Sequence, residues 1–292
     1  MIAMKTWPIS GWCCAMVSCT VWNGVTHLWR CKLQAYRDCS ALFQLPYRGE
    51  NSAPSRLVVF AHAGGFAQQW QQICLPLTAH CEVLLVEYPG HGVRSATALA
   101  DSMTELAVDL GDQLGRYWHP NTILLGYSMG ALCAYLVEQQ LRKQNKAVRQ
   151  LILAAYPAPW LEQFQFDFDT SEQDAQLSYL SQFDSAAHAV FSSEQLSESY
   201  LPVMQHDFQL LQRCSLAQWP EISCPVTLLA GKFDRAVALQ DVMAWREICE
   251  HEVQAYAIDG EHFFVHQSRA RFLAIVQSKL NSDSERISLQ QE

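Results

Sequence analysis

The pentapeptide Gly126-Tyr127-Ser128-Met129-Gly130 lies between an apolar, strand-like run, Asn121 to Leu125, and a helical stretch, Ala131 to Gln140. That placement constrains the fold more than any other feature of the chain. A G-x-S-x-G turn from strand to helix needs a tight, strained backbone at the serine, and the flanking glycines leave room where a side chain would collide. Ser128 Oγ then stands above the end of the sheet. The Met129 N–H points into the same space from a helix N-terminus, where negative charge is stabilised.

The segments around this turn repeat its logic. From Arg56 onward strand-like and helix-like runs alternate, the pattern of a mostly parallel sheet covered by helices. Leu57 to Ala61 reads as a buried strand ending in His62-Ala63-Gly64-Gly65, and Val83 to Val86 as one ending in Tyr88-Pro89-Gly90-His91-Gly92. A helix is predicted over Met103 to Tyr117, further strands over Leu151 to Ala155, Val226 to Ala230 and Val253 to Ile258, and a closing helix over Ser268 to Leu280. The glycine-rich punctuation falls at the carboxyl ends of the strands, where sheets of this kind bind ligands. Between Trp160 and Leu211 the alternation stops. Helical segments over Glu172 to Phe183, Ala186 to Phe191 and Ser193 to Leu211 follow one another there, so a helical lid is expected over 160–211. It holds nine acids and no Lys or Arg, and a solvated acidic face accounts for most of them.

Composition excludes several function classes. A net charge of −9 argues against nucleic acid, whose phosphates need a basic face. No run of 18 apolar residues is uninterrupted, so no membrane span is expected. The eleven cysteines include no C-x-x-C pair and no metal-like Cys/His cluster, and Cys133, Cys214 and Cys249 read as small buried hydrophobes in a reducing compartment. Five cysteines, four tryptophans, four Lys/Arg and a single acid fall within residues 1–47, a segment without helical or strand periodicity. Its apolar stretch Gly11 to Trp22 has some signal-sequence character, but Lys5 alone charges the flank and tryptophans bracket the run. Residues 1–47 are therefore expected outside the fold, with the domain over 48–285 and a tail over 286–292.

A serine nucleophile needs a base to take its proton and a carboxylate to orient that base, and the hydrolase order is Ser, then Asp/Glu, then His. The strand ending at Ala230 is followed by Gly231-Lys232-Phe233-Asp234, and the strand ending at Ile258 by Asp259-Gly260-Glu261-His262. Ser128, Asp234 and His262 are thus the candidate catalytic residues. His266 competes with His262 but falls where the closing helix begins. Asp259 competes with Asp234 but lies only three residues before the base. Asp241 belongs to the helix after Asp234, and His62 reads as structural. Met129 is one candidate oxyanion donor and Ala63 or Gly64 the other, since small residues let a backbone N–H approach a carbonyl oxygen. No phosphate-binding loop is present, so no nucleotide cofactor is implied.

Together, Phe60 to Gly65, Tyr88 to Arg94, Gly126 to Leu132, Leu201 to Phe208 and Gly260 to Phe264 resemble the type II (external, stand-alone) thioesterases of nonribosomal peptide and polyketide synthesis. The likeness runs from about Leu45 to Val276. It implies an α/β-hydrolase fold, a Ser128–Asp234–His262 triad, no bound cofactor, and hydrolysis of acyl groups from the phosphopantetheine arm of acyl or peptidyl carrier domains. It also implies a cytoplasmic monomer, with a siderophore or other peptide cluster as one setting. Tyr127 stands where the family often carries histidine, and the first 45 or so residues have no family counterpart. Carrier domains of such pathways are usually acidic, so docking is expected to avoid the acidic lid and use Arg94, Lys232 and Arg235. An oxygen-ester hydrolase or lipase, and a hydrolase-fold binding protein without turnover, are the competing readings; the complete Ser, Asp, His order argues against the second.

Overall fold

The computed structural model describes residues 34–36, 39–49, 52–161, 180–181, 183 and 194–281. Within them, eight strands form one sheet: β1 (Gln34–Tyr36), β2 (Cys39–Leu45), β3 (Arg56–Phe60), β4 (Glu82–Val86), β5 (Thr122–Tyr127), β6 (Gln150–Ala154), β7 (Val226–Gly231) and β8 (Val253–Ile258), in the order β1-β2-β4-β3-β5-β6-β7-β8. β4 through β8 run parallel in their neighbour pairs, whereas β2 lies antiparallel to β4 and β1 antiparallel to β2. Every residue of β3, β5, β6 and β7 is buried. This is why these strands read as continuous apolar runs rather than alternating ones: both faces are covered.

Among the described residues seven α-helices accompany the sheet: α1 (Ala67–Cys74), α2 (Met103–Arg116), α3 (Met129–Lys143), α4 (Glu194–Arg213), α5 (Leu239–Met243), α6 (Phe264–Gln267) and α7 (Arg269–Asn281). α2 starts at Ser102, whose hydroxyl accepts the Glu105 N–H, a side-chain N-cap of the kind that offsets an unpaired amide in the first turn. α3 buries most of its circumference, since it packs on the sheet on one side and on α2 on the other. A Cβ at Gly111 of α2 would approach Gln140 Cβ to 2.8 Å, so the two helices meet where only glycine fits.

The expected strands and the elbow helix are all present, with ends shifted by up to three residues. The third expected lid helix is α4, which extends two residues beyond its expected end. The other two fall almost wholly outside the described residues, as does the expected tail over 286–292. The expected boundary at residue 47 does not hold. β1 and β2 lie before it, and Ala41 and Leu42 are both 0% exposed, inside the main core. Local sequence could not reveal this, because β2 is stabilised by antiparallel pairing of Leu42 with Val86 and Leu45 with Val83, about forty residues away.

Substituting Leu42→Ala is expected to destabilise the protein by about 2–5 kcal/mol in urea denaturation, the usual cost of emptying a fully buried leucine site. A chain beginning at Gly49 is expected to aggregate, since β4 would be left with an unpaired edge. A soluble product of native melting temperature would contradict this.

Candidate active site

Ser128 occupies the turn between β5 and α3 with φ 54° and ψ −125°, a backbone region that non-glycine residues seldom adopt. The two flanking glycines make the turn possible. A Cβ at Gly126 would lie 2.1 Å from the Gly130 carbonyl oxygen, and one at Gly130 would lie 2.2 Å from that of Phe60 at the end of β3. The turn is thereby pressed against the end of β3, where the loop His62 to Gly65 begins.

His262 and Asp234 reach this serine from the ends of β8 and β7. His262 Nε2 is 3.0 Å from Ser128 Oγ, and His262 Nδ1 is 2.7 Å from Asp234 Oδ2. With Nδ1–H donating to the carboxylate, Nε2 is left as the acceptor for the Ser128 hydroxyl proton. The other carboxylate oxygen of Asp234 accepts the N–H groups of Ala236 and Val237 at 2.9 and 3.0 Å, so both oxygens are fixed. The β7 and β8 loops are joined by the Phe233 N–H to Gly260 carbonyl bond of 3.0 Å. A Cβ at Gly231 would come within 2.5 Å of the Glu261 carbonyl oxygen, so acid and base loops touch backbone to backbone.

The competing residues lie elsewhere. Asp259 faces solvent and pairs with Lys232 at 2.7 Å. Asp241 is in the first turn of α5, and His266 is in α6. His62 is buried edge-on to the Phe263 ring; burial, with His266, His262 and His91 nearby, pushes its pKa down to about 3, so it is neutral at physiological pH.

The candidate oxyanion donors separate cleanly. Met129 is the first residue of α3, where a helix leaves its N–H groups unpaired. The Gly64 N–H donates to Asp207 Oδ2 of α4 at 2.6 Å, and the Gly65 N–H to the His62 carbonyl at 2.8 Å. Gly64 is thus withdrawn from the expected role, which leaves the Ala63 N–H, without an acceptor among the described residues. Arg94 also departs from expectation. It is 9% exposed, and its guanidinium donates to the Glu87 carbonyl at 3.0 Å, so it holds a turn rather than offering a surface charge. Lys232 and Arg235 are exposed.

Three features were not read from sequence. Tyr127 is fully buried, and its hydroxyl donates to the His262 carbonyl at 2.5 Å; the Val265 N–H donates to the Tyr127 hydroxyl oxygen at 3.4 Å. The residue beside Ser128 therefore braces the histidine loop. From the cap, Phe183 sets its ring edge-on to the His262 imidazole, 4.8 Å between centroids, and Ser128 is only 8% exposed, so the serine is covered rather than open above the sheet. Asp207 and His91 form a buried pair at 2.9 Å. The only sequence hint of these was the position of Tyr127 inside the elbow and of Asp207 and His91 inside short motifs.

The Thioesterase domain family matches residues 55–280 of this chain. The chain belongs to the thioesterase family. Among similar proteins is the "Probable cadicidin biosynthesis thioesterase" of Streptomyces griseus, 23% identical over 79% of this chain but only 63% of that protein's length. Among solved structures, the thioesterase RedJ from the prodiginine biosynthetic pathway in Streptomyces coelicolor is 29% identical, with a TM-score of 0.71 over 78% of this chain and 86% of its own. YbtT, the type II thioesterase from the yersiniabactin NRPS/PKS biosynthetic pathway, is 27% identical, with a TM-score of 0.70 over 82% of this chain and 97% of its own. The fold of this thioesterase-family chain is accordingly that of the α/β hydrolases. No helix among the described residues is long and apolar enough to cross a membrane.

Replacing Tyr127 with Phe is expected to lower unfolding free energy by about 1–3 kcal/mol, the penalty for a buried carbonyl left without its donor. It should also lower kcat roughly tenfold, since small displacements of a catalytic group are costly. Urea denaturation and steady-state kinetics on the same variant check both; unchanged values would mean the loop is held by packing alone.

Proposed function

We propose that this protein is a serine thioesterase that releases acyl groups from the phosphopantetheine arm of acyl or peptidyl carrier domains, as an editing enzyme of a nonribosomal peptide or polyketide assembly line. The observation that carries the reading is His262, placed within hydrogen-bonding distance of both Ser128 Oγ and Asp234. Family membership and the likeness to RedJ and YbtT, thioesterases of biosynthetic pathways, support the substrate class.

In this mechanism His262 takes the Ser128 proton as Oγ attacks the thioester carbonyl. The carbonyl oxygen, now negative, accepts the N–H groups of Met129 and Ala63; one such donor is worth about 10²–10³ in rate. The tetrahedral intermediate collapses as its C–S bond breaks; the pantetheine thiolate leaves without prior protonation and then takes the proton held on His262, which returns the imidazole to its neutral form. Water then attacks the acyl-serine, His262 takes its proton, and the acid product departs as Ser128 is reprotonated. Asp234 holds the imidazole in the correct tautomer throughout. These steps use only side chains, backbone amides and water, so no cofactor is invoked. Phe183 and the cap keep bulk water from the acyl-serine. A cytoplasmic monomer working beside its carrier is the setting we infer.

Ser128→Ala and His262→Ala are each expected to lower kcat/KM by at least ~10³, and Asp234→Asn by less, because the carboxylate acts through the histidine. Asp259→Asn should change little. An alkyl fluorophosphonate should label the wild-type protein at Ser128, and an acyl-pantetheine thioester should be hydrolysed. An unlabelled protein, or an active Ser128→Ala variant, would overturn the reading.

Docking is assigned to Lys232 and Arg235, with Phe233, 64% exposed, between them. Reversing both charges to glutamate is expected to raise KM for an acyl-carrier protein several-fold and to leave a free acyl-pantetheine substrate unaffected, with the effect weakening as salt screens the charges. Equal losses on both substrates would place the two residues in support of the site instead.

A further inference from the structure

We propose that Asp207 and His91 act as a positioning pair for the oxyanion loop: the carboxylate, carried by the cap helix and neutralised by an imidazolium, takes the Gly64 N–H and thereby leaves the Ala63 N–H aimed at the substrate carbonyl. The inference rests on the thioesterase reading and adds to it the residues that shape one half of the oxyanion site.

The hydrogen bonds of His91 define its protonation. Nδ1 lies 2.8 Å from the Pro89 carbonyl oxygen, which can only accept, so Nδ1 carries a proton. Nε2 lies 2.9 Å from Asp207 Oδ2. The same oxygen accepts the Gly64 N–H at 2.6 Å, and the carboxylate beside it raises the His91 pKa, so Nε2 carries a proton too. Two acceptors on opposite edges of one ring require the imidazolium. Both side chains are nearly sealed from solvent, 3% and 2% exposed. An unpaired charge at this depth would be costly, whereas the pair is neutral overall.

Three separate segments converge on Asp207 Oδ2: the loop after β3, the loop after β4, and α4. The β3 loop is a tight turn, with Gly64 at φ +70° and the Gly65 N–H returning to the His62 carbonyl. Met204, one turn before Asp207 on α4, lies against Gly64, within 3.1 Å of where a Cβ would stand. With Gly64 and Gly65 both engaged, the remaining N–H of the turn is that of Ala63. Neutralisation also matters for the reaction. A bare carboxylate so near a developing oxyanion would raise the barrier, and His91 cancels its field.

Charged and titratable groups reach the pair from every side. His62 approaches from the β3 loop, Glu87 and Tyr88 from the end of β4, Arg94 from the turn beyond through Glu87, and Cys133 from α3. Burial pulls the His91 pKa down, but Asp207, with help from Pro89 and Glu87, outweighs it and leaves the value raised. The imidazolium therefore persists to higher pH than that of a free histidine. As pH rises through the raised pKa, Nε2 loses its proton and presents a lone pair to the carboxylate. The contact turns repulsive and the Gly64 anchor loosens.

The test uses the full-length protein and the short-chain thioester butyryl-N-acetylcysteamine, with an alkyl boronic acid as transition-state analogue. Wild-type turnover is established first; a Ser128-labelled protein that cleaves no thioester would defeat the functional reading and not this one. Asp207→Asn is expected to lower kcat about 10- to 100-fold, within the range for a lost oxyanion donor, with KM within about threefold and boronate affinity falling in parallel with kcat. In wild type kcat should decline on the alkaline side. In His91→Gln, whose amide donates at every pH, a reduced rate should persist without that decline. An Asp207→Asn variant of unchanged kcat, or one altered only in KM, would overturn the proposal. So would an alkaline decline retained in His91→Gln, and that profile alone decides if the Asp207 variant fails to fold.

Discussion

Much of this molecule follows from the cost of holding one serine in a disfavoured backbone conformation. A residue at φ 54° and ψ −125° carries strain on the order of 1–3 kcal/mol and persists only where its surroundings over-determine it. Here the surroundings are bare backbone: Gly130 pressed on the carbonyls of Phe60 and Ala61, Gly126 pressed on Gly130 and Ala131. The same contact that fixes the strained turn sets the end of β3 beside it, so the loop bearing Ala63 is a neighbour of the serine by construction. Tyr127, the residue before the serine, points the other way and holds the loop of His262. One tight turn thus places the nucleophile, one oxyanion donor and the brace for the histidine.

The loops at this end of the sheet share a second device. Asp234 takes the amides of Ala236 and Val237, Glu87 those of Ala67 and Val93, and Asp207 that of Gly64. Each is a buried carboxylate gathering backbone N–H groups, a charge-assisted arrangement stronger than a neutral hydrogen bond. Irregular backbone cannot satisfy its own amides as a helix or a ladder does. Buried acids satisfy them here, and the loops are held in place for the same reason.

The sequence made some of this legible and hid the rest along a physical line. Strands β3 to β8 and the order of Ser128, Asp234 and His262 are written in contiguous runs, most of them with glycine just beyond, so short windows reveal them. β2 is not written that way. Its partner in the sheet is β4, and the foreign composition of residues 1–47 concealed a strand that buries Leu42 completely. The role of Gly64 was equally invisible, since the group that takes its N–H sits 143 positions further on. Arg94 looked like a surface cation because it follows a strand end; only the fold turns its guanidinium inward to the Glu87 carbonyl. Local chemistry is written in adjacent residues, whereas pairings across the chain exist only in the folded molecule.

The spacing of the site along the chain has a consequence for its making. A polypeptide grows from its amino terminus, and Ser128 precedes the histidine that touches it by 134 residues. The sheet is built outward in the same direction on that side, β5, β6, β7 and then β8, so the base arrives with the edge strand, the last of the eight to leave the ribosome. Until then a folded amino-terminal portion would hold its serine without a proton acceptor. Assembly of the site is thus tied to the docking of β8, the edge strand whose loop carries His262.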